Sequence, residues 1–406
     1  MFDSLRFKPD MLKLNIFSTL TFALIILFII FSNSIISNFS LHLSSFETHN
    51  HNHLQTHQTA TELKIITSPE EDNRVINLTP RLDVTTSQEK NKPNPQELKF
   101  FVSSTTTTFD SRVRIFFSHK NCKIQVFMTW ISPVDSFQER EIFGLESLFQ
   151  TNPKSCLVIL SNTLDTEKGR QKMEPLINLG FWVEAISPDL WALLKNTPAE
   201  NWFNDIKNGK KEPGNIPLSQ NLSNLIRLAA LYKYGGVYLD TDFIVLRDIS
   251  GLRNSIGAQS VDIYGNWTRL NNAVLIFDKN HFLVYKFIEE FGLSFEGNKW
   301  GHNGPYLVSR VVNRVAKTGE GNFTILSPVA FYPVYWTRVA GFFARPNDTV
   351  GAKWVEAKIR QINGSSYGVH LWNRQSSGLK IEEGSIIGRL ISAHCVICSR
   401  YVYSSS

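Results

Sequence analysis

The sequence predicts an α/β domain built on a doubly wound, mostly parallel sheet. Three observations carry that expectation. Short apolar, β-prone runs alternate with amphipathic segments from residue 123 onward. The stretch 217–246 passes from an amphipathic helix through a double glycine into an apolar strand. That strand runs into two aspartates one residue apart, Asp240 and Asp242, where open α/β sheets bind ligands beyond their strand carboxyl ends.

Taken in order, Lys123–Trp130 reads as the first strand and 133–150 as a helix with Phe143, Leu145 and Leu148 inward. Cys156–Leu160 reads as a second buried strand. Residues 169–179 read as a helix that Pro175 should end or kink, and Phe181–Ile186 as a third strand. The polar, Lys/Gly/Pro-bearing segment 191–216 is expected to be a long surface loop, either ordinary or a lid on the acceptor side. The next helix, 219–234, places Leu222, Leu225, Ile226 and Ala229 on one face, with Ser219 or Asn221 as its cap. Gly235 and Gly236 end it, and 237–246 is expected as one strand.

The chain ahead of this domain has a different character. Residues 14–36 carry no charge and suffice to cross a bilayer as a helix. Arg6, Lys8 and Lys13 precede them, which predicts a cytosolic tail at 1–13 and a lumen-facing remainder. A cleaved signal peptide is the competing reading. Residues 37–111 are polar and Thr-bearing and are expected to form a flexible stem; His49, His51, His53 and His57 within it read as a solvated tract. The folded domain is expected over 112–400, with a short tail at 401–406. Sequons at Asn38, Asn77, Asn221, Asn266, Asn322, Asn347 and Asn363 agree with a luminal body, although a glycan on Asn221 would obstruct helix packing. Of the four cysteines, Cys122 with Cys156 is one possible pairing, and Cys395 and Cys398 have no second CxxC to complete a zinc site. The net charge is 42 − 36 = +6, with the basic residues scattered, so no nucleic-acid partner is expected. There is no GxGxxG and no Walker loop.

Two carboxylates in an apolar setting repel and are costly to desolvate, so a cation is expected between them. Oxygen ligands suit Mn2+ or Mg2+, ions that commonly share their shell with substrate phosphates.

The stretch LSNLIRLAALYKYGGVYLDTD resembles the nucleotide-sugar signature of the DxD glycosyltransferases of family 32. The wider pattern is similar to its alpha-1,4-galactosyltransferase and alpha-1,4-N-acetylglucosaminyltransferase branch, through Trp130, Asn272–Phe277, Gly304-Pro305 and the run Gly368-Val-His370-Leu-Trp372-Asn373. The resemblance spans about Val113 to Cys398 and implies a Rossmann-like GT-A domain. It implies transfer of a hexose or N-acetylhexosamine from a UDP-sugar to a glycan or glycolipid acceptor, with retention of configuration. The enzyme would be a single-pass type II protein of the Golgi membrane. Asp242 would ligate the metal, Asp240 the metal or ribose, and His370 would complete the shell. Arg227 would meet phosphate or the transferred sugar, and Trp130 would stack on uracil. Ser223, Asn224, Tyr238, Asn272 and Asn373 would line the donor site, with His302 and Gly304 on the acceptor side. Relatives often have Ser-Asp where this chain has Ser223-Asn224. Two alternatives stand beside this reading: a non-catalytic luminal nucleotide-sugar or glycan binder of the same fold, and, more remotely, a DxD phosphatase.

Overall fold

A computed structural model describes residues 108–118 and 122–397. The expected tail and anchor at 14–36, nearly all of the stem, Asn38, Asn77 and Cys398 lie outside them. Among the described residues no helix is long and apolar enough to cross a membrane.

The first half alternates as its periodicity predicts. Helix α1 (Phe109–Phe117) leads into β1 (Ile124–Thr129), α2 (Glu139–Thr151), β2 (Ser155–Leu160), α3 (Glu167–Asn178) and β3 (Trp182–Ile186). Short helices α4 (Leu190–Leu194) and α5 (Glu200–Lys207) precede α6 (Leu218–Tyr234), β4 (Gly236–Leu239) and β5 (Phe243–Val245). A long hairpin follows, β6 (Ser255–Val261) and β7 (Trp267–Phe277), then α7 (Phe282–Ser294), α8 (Pro305–Thr318) and β8 (Thr324–Leu326). The chain closes with α9 (Ala340–Phe343), α10 (Thr349–Ser365), β9 (Gly368–His370), α11 (Asn373–Ser376) and α12 (Ile386–His394).

The main sheet has the order β3-β2-β1-β4-β7-β6-β8. Strands β3, β2, β1 and β4 are mutually parallel, β7 runs antiparallel to both β4 and β6, and β8 is parallel to β6. The sheet is therefore mixed and mostly parallel. Successive residues of β1 enter opposite cores: Val126 and Met128 pack with α2, α3, α10 and α12, whereas Phe127 packs with α1, α6, α7 and α8. Burial on both faces explains why these strands read as continuous apolar runs. Along α6 the expected face holds: Leu222, Leu225, Ile226 and Ala229 are fully buried. Each buried Leu or Ile contributes about 1.5–3 kcal/mol, enough together to fix the helix against the sheet.

Several local expectations are corrected. Residues 237–246 are not one strand. The chain leaves the main sheet after Leu239, turns through Asp240–Asp242, and re-forms as β5 in a separate two-stranded antiparallel sheet with β9. Pro175 lies inside α3 without ending it; the helix stops three residues later. Helix α6 begins at Leu218 with Pro217 before it, and neither Ser219 nor Asn221 caps it. The segment 191–216 is not a loop: Leu193, Leu194, Trp202, Phe203 and Ile206 are buried in the core shared with α6. Its remaining loop packs on the segment after α7, where Ile216 N donates to Gly297 O at 2.9 Å. Helix α1 spans the expected start of the folded domain at 112, and its Phe109 and Val113 are buried.

Two sequence readings hold. Cys122 and Cys156 form a disulfide with Cα atoms 5.5 Å apart, and Asn221 is buried, its Oδ1 accepting from Asn303 Nδ2 at 2.9 Å. Asn266, Asn322, Asn347 and Asn363 are exposed.

Gly236 opens β4 with φ 107°, and a Cβ there would stand 2.4 Å from the carbonyl oxygen of Gln125 on the neighbouring strand. Gly236→Ala is expected to destabilise the domain by about 2–4 kcal/mol through backbone strain and displacement of β1. A urea midpoint unchanged from wild type would overturn this account.

Candidate active site

The site forms where β4 ends, at the centre of the main sheet and beside the strand at which chain direction reverses. Asp240 N donates to Ala273 O at 2.9 Å, the last bond of the β4–β7 ladder. The chain then turns away, so Asp240 and Asp242 face the space beyond the sheet. Helix α2 supports the turn from beneath: a Cβ on Gly144 would stand 2.8 Å from Thr241 O.

Each carboxylate is held by one oxygen. Asp240 Oδ1 accepts from Tyr238 Oη at 2.9 Å and pairs with Arg227 Nη1 at 3.0 Å. Asp242 Oδ2 accepts from the backbone N–H of Asn373 at 2.8 Å. The other oxygens face one imidazole nitrogen: His370 Nε2 lies 3.3 Å from Asp242 Oδ1 and 3.9 Å from Asp240 Oδ2. One potential ligand atom from each of Asp240, Asp242 and His370 falls within 4.8 Å of the other two. His370 reaches this point because β9 pairs with β5 in a register that sets it opposite Phe243.

The electrostatics are those of a crowded, dehydrated cluster. Burial, together with the charge of Asp242, holds Asp240 above the ordinary carboxylate range despite the pull of Arg227. Burial pushes Asp242 the same way, but His370 and the Asn373 amide outweigh it and leave Asp242 low. Burial would lower His370, yet the charges of Asp242 and Asp240 raise it overall.

The other expected residues divide into two groups. Arg227, expected to meet phosphate, is 4% exposed and supports Asp240 from within. Its Cζ stacks 4.5 Å over the Tyr238 ring, Nε and Nη2 donate to Ser223 O and Oγ, and Nη1 also donates to Asn272 O at 2.9 Å. Tyr238 is fully buried, so only its hydroxyl serves the site, by orienting Asp240. Asn272 Nδ2 donates to Asn224 Oδ1 at 2.9 Å, joining α6 to β7. A Cβ on Gly304 would stand 2.9 Å from Asn224 Oδ1, which brings the start of α8 against that pair. Trp130 is partly exposed past the end of β1, its ring edge-on to Phe137 and its indole N–H donating to Pro133 O at 3.3 Å. His302 faces the α7–α8 contact, with Nε2 2.9 Å from Ser294 O.

Three further residues take part that the sequence did not single out for this site or placed only loosely. Arg140 on α2 donates to Ser376 O and Oγ at 2.7 and 2.8 Å and so fixes the turn that follows Asn373. It stands three residues before Phe143 on a helix that also buries Glu141, Glu146 and Ser147, so its charge gave no distinct signal. Tyr332 presents its ring edge to His370 at 5.8 Å. Trp372 adopts φ 57°, ψ 57°, a left-handed conformation rare for a large residue, and its indole donates to Val334 O at 2.9 Å. That bend lets the Asn373 amide turn toward Asp242.

Arg227→Met would leave the part-buried Asp240 without its guanidinium partner. The expected loss is about 3–5 kcal/mol, read from a urea midpoint, with much of it recovered in the double variant Arg227→Met/Asp240→Asn. Strictly additive losses in that cycle would show that the pair is not coupled.

Residues 276–402 match the family model described as alpha 1,4-glycosyltransferase conserved region, and residues 138–262 match that of the glycosyltransferase sugar-binding region containing a DXD motif. The chain is 30% identical over 268 residues to the lactosylceramide 4-alpha-galactosyltransferase of Mus musculus, covering 62% of this chain and 68% of that protein. It is 28% identical over 219 residues to the alpha-1,4-N-acetylglucosaminyltransferase of Homo sapiens, covering 51% of this chain and 58% of that protein. An Arabidopsis thaliana protein described as uncharacterized is 31% identical over 301 residues; these cover 72% of this chain but only 45% of the plant protein.

Proposed function

The chain belongs to the alpha-1,4-glycosyltransferase family, and from that premise we propose that it is a metal-dependent enzyme transferring a hexose or N-acetylhexosamine from a nucleotide sugar to a glycan or glycolipid acceptor. The observation that carries the reading is the paired anchoring of Asp240 and Asp242. In each, one oxygen is bound by the protein and the other is free to face a common centre with His370 Nε2.

The donor set fits a divalent cation. Two carboxylate oxygens and an imidazole nitrogen suit Mn2+ better than Mg2+, which strongly prefers oxygen. Asp240, Asp242 and His370 would hold it, and when bound it supplies Lewis-acid stabilisation of a nucleoside diphosphate leaving group. The protein's own part is preorganisation. Arg227 and Tyr238 fix Asp240; the Asn373 amide fixes Asp242; Arg140 holds the turn that aims the amide. None of these groups has to reorient when the donor arrives, which is where such sites gain most of their advantage. On this reading Trp130 would stack on the base, and the mutually bonded Asn224 and Asn272 would border the donor.

The family names of the relatives favour a UDP-sugar donor, UDP-galactose or UDP-N-acetylglucosamine, used with retention of configuration. The uncharged run at 14–36 and the exposed sequons favour a Golgi enzyme of type II orientation with a GT-A domain in the lumen. A non-catalytic binder of the same fold would instead bind UDP without turnover.

The full-length chain in detergent is expected to release UDP from one of these donors in a Mn2+-dependent manner. EDTA, or Asp242→Ala, should lower the rate by roughly a hundredfold or more. Full activity under either condition would sink the metal role.

A further inference from the structure

We propose that Trp300, braced by Arg374, is a saccharide-stacking platform of the acceptor subsite. The assignment rests on the transferase reading above and adds a residue to it. Trp300 is 49% exposed, so about half of its indole is open to solvent. The Arg374 guanidinium carbon lies 4.0 Å from the centroid of its indole.

The contacts on either side of this pair lead to the two aspartates. Arg374 follows Asn373, whose backbone N–H holds Asp242. Four residues beyond Trp300, Gly304 abuts Asn224 and Asn272, and Arg227 donates to Asn272 O while pairing with Asp240. The indole therefore stands where the 370–374 segment and the segment preceding α8 meet, in contact with the residue that follows Asn373.

The loop that carries Trp300 is rigidly held. Asn303 Nδ2 donates to Asn221 Oδ1 and to Glu296 O, and Glu296 N donates to Asn303 Oδ1. On its outer side, Gly297 O accepts from Ile216 N and Asn298 Oδ1 from Asn215 N. The indole is thus presented by a fixed scaffold, with little conformational entropy to lose on binding. Arg374 covers part of the ring by cation–π contact and fixes its tilt. The remaining aromatic surface, electron-rich at its face, complements the C–H face of a pyranose, while the guanidinium supplies hydrogen-bond donors for the hydroxyls around its edge.

The test uses the full-length chain and a panel of methyl glycosides of galactose, glucose, N-acetylglucosamine, mannose and xylose. Saturation-transfer NMR without donor should show at least one of them bound to wild type, with the signal lost in Trp300→Ala and largely kept in Trp300→Phe. In transfer assays, Trp300→Ala should raise the KM for that glycoside about tenfold and the donor KM less than twofold. Equal binding by wild type and Trp300→Ala, a matching rise in donor KM, or no binding of any glycoside to wild type would each overturn the platform. The NMR readout needs no turnover, so failure of the transferase reading, seen as absent Mn2+-dependent transfer, stays distinguishable from failure of the platform.

Discussion

Repulsion between two carboxylates at the end of a buried strand is the constraint around which this domain is arranged. Unrelieved, it would be costly in the low dielectric beyond β4. Relief comes from three directions: a guanidinium beneath Asp240, a backbone amide beside Asp242, and an imidazole facing both. Each arrives from a different part of the chain, and the elements that deliver them form much of the fold. Helix α6 supplies Arg227, the β5–β9 pairing supplies His370, and the left-handed turn at Trp372 supplies the amide.

Support of this kind changes what a conserved-looking motif residue does. Arg227 and Tyr238 sit within the signature stretch, but both lie behind Asp240 and act through it. Arg227 is 4% exposed and Tyr238 fully buried. The ion pair between Arg227 and Asp240 is nearly dry on the arginine side and a quarter exposed on the carboxylate side. Such a pair does not owe its place to net stability, since replacing buried pairs by apolar residues is often neutral or better. Its value is positional: it leaves the second oxygen of Asp240 oriented and available.

The sequence was most legible where structure is local. The amphipathic face of α6, the double glycine, the apolar strand and the aspartates follow from spacing within thirty residues, and the structure keeps that order. The turn between Leu239 and Phe243 was not legible, because an apolar run looks the same whether it continues in one sheet or crosses to another. Its partner β9 lies over a hundred residues away, and periodicity carries no information about pairing at that range. His370 could be suspected only through resemblance. At 191–216 composition misled: lysines, glycine and proline at one end drew attention from Trp202, Phe203 and Ile206, which share one face of α5 and enter the core. Asn221 was read in two ways, as a cap and as a glycan site unfit for packing, and its burial against Asn303 supports only the second.

The β5–β9 sheet has a consequence for the order in which the molecule comes into being. Synthesis delivers Asp240 and Asp242 well before Gly368–His370, and a domain generally folds as a unit. Until the last part of the chain appears, β5 has no partner strand and Asp242 lacks both its imidazole and its amide. The centre is thus completed only by the last part of the domain: a chain cut short before residue 368 would lack β9, His370 and the Asn373 amide.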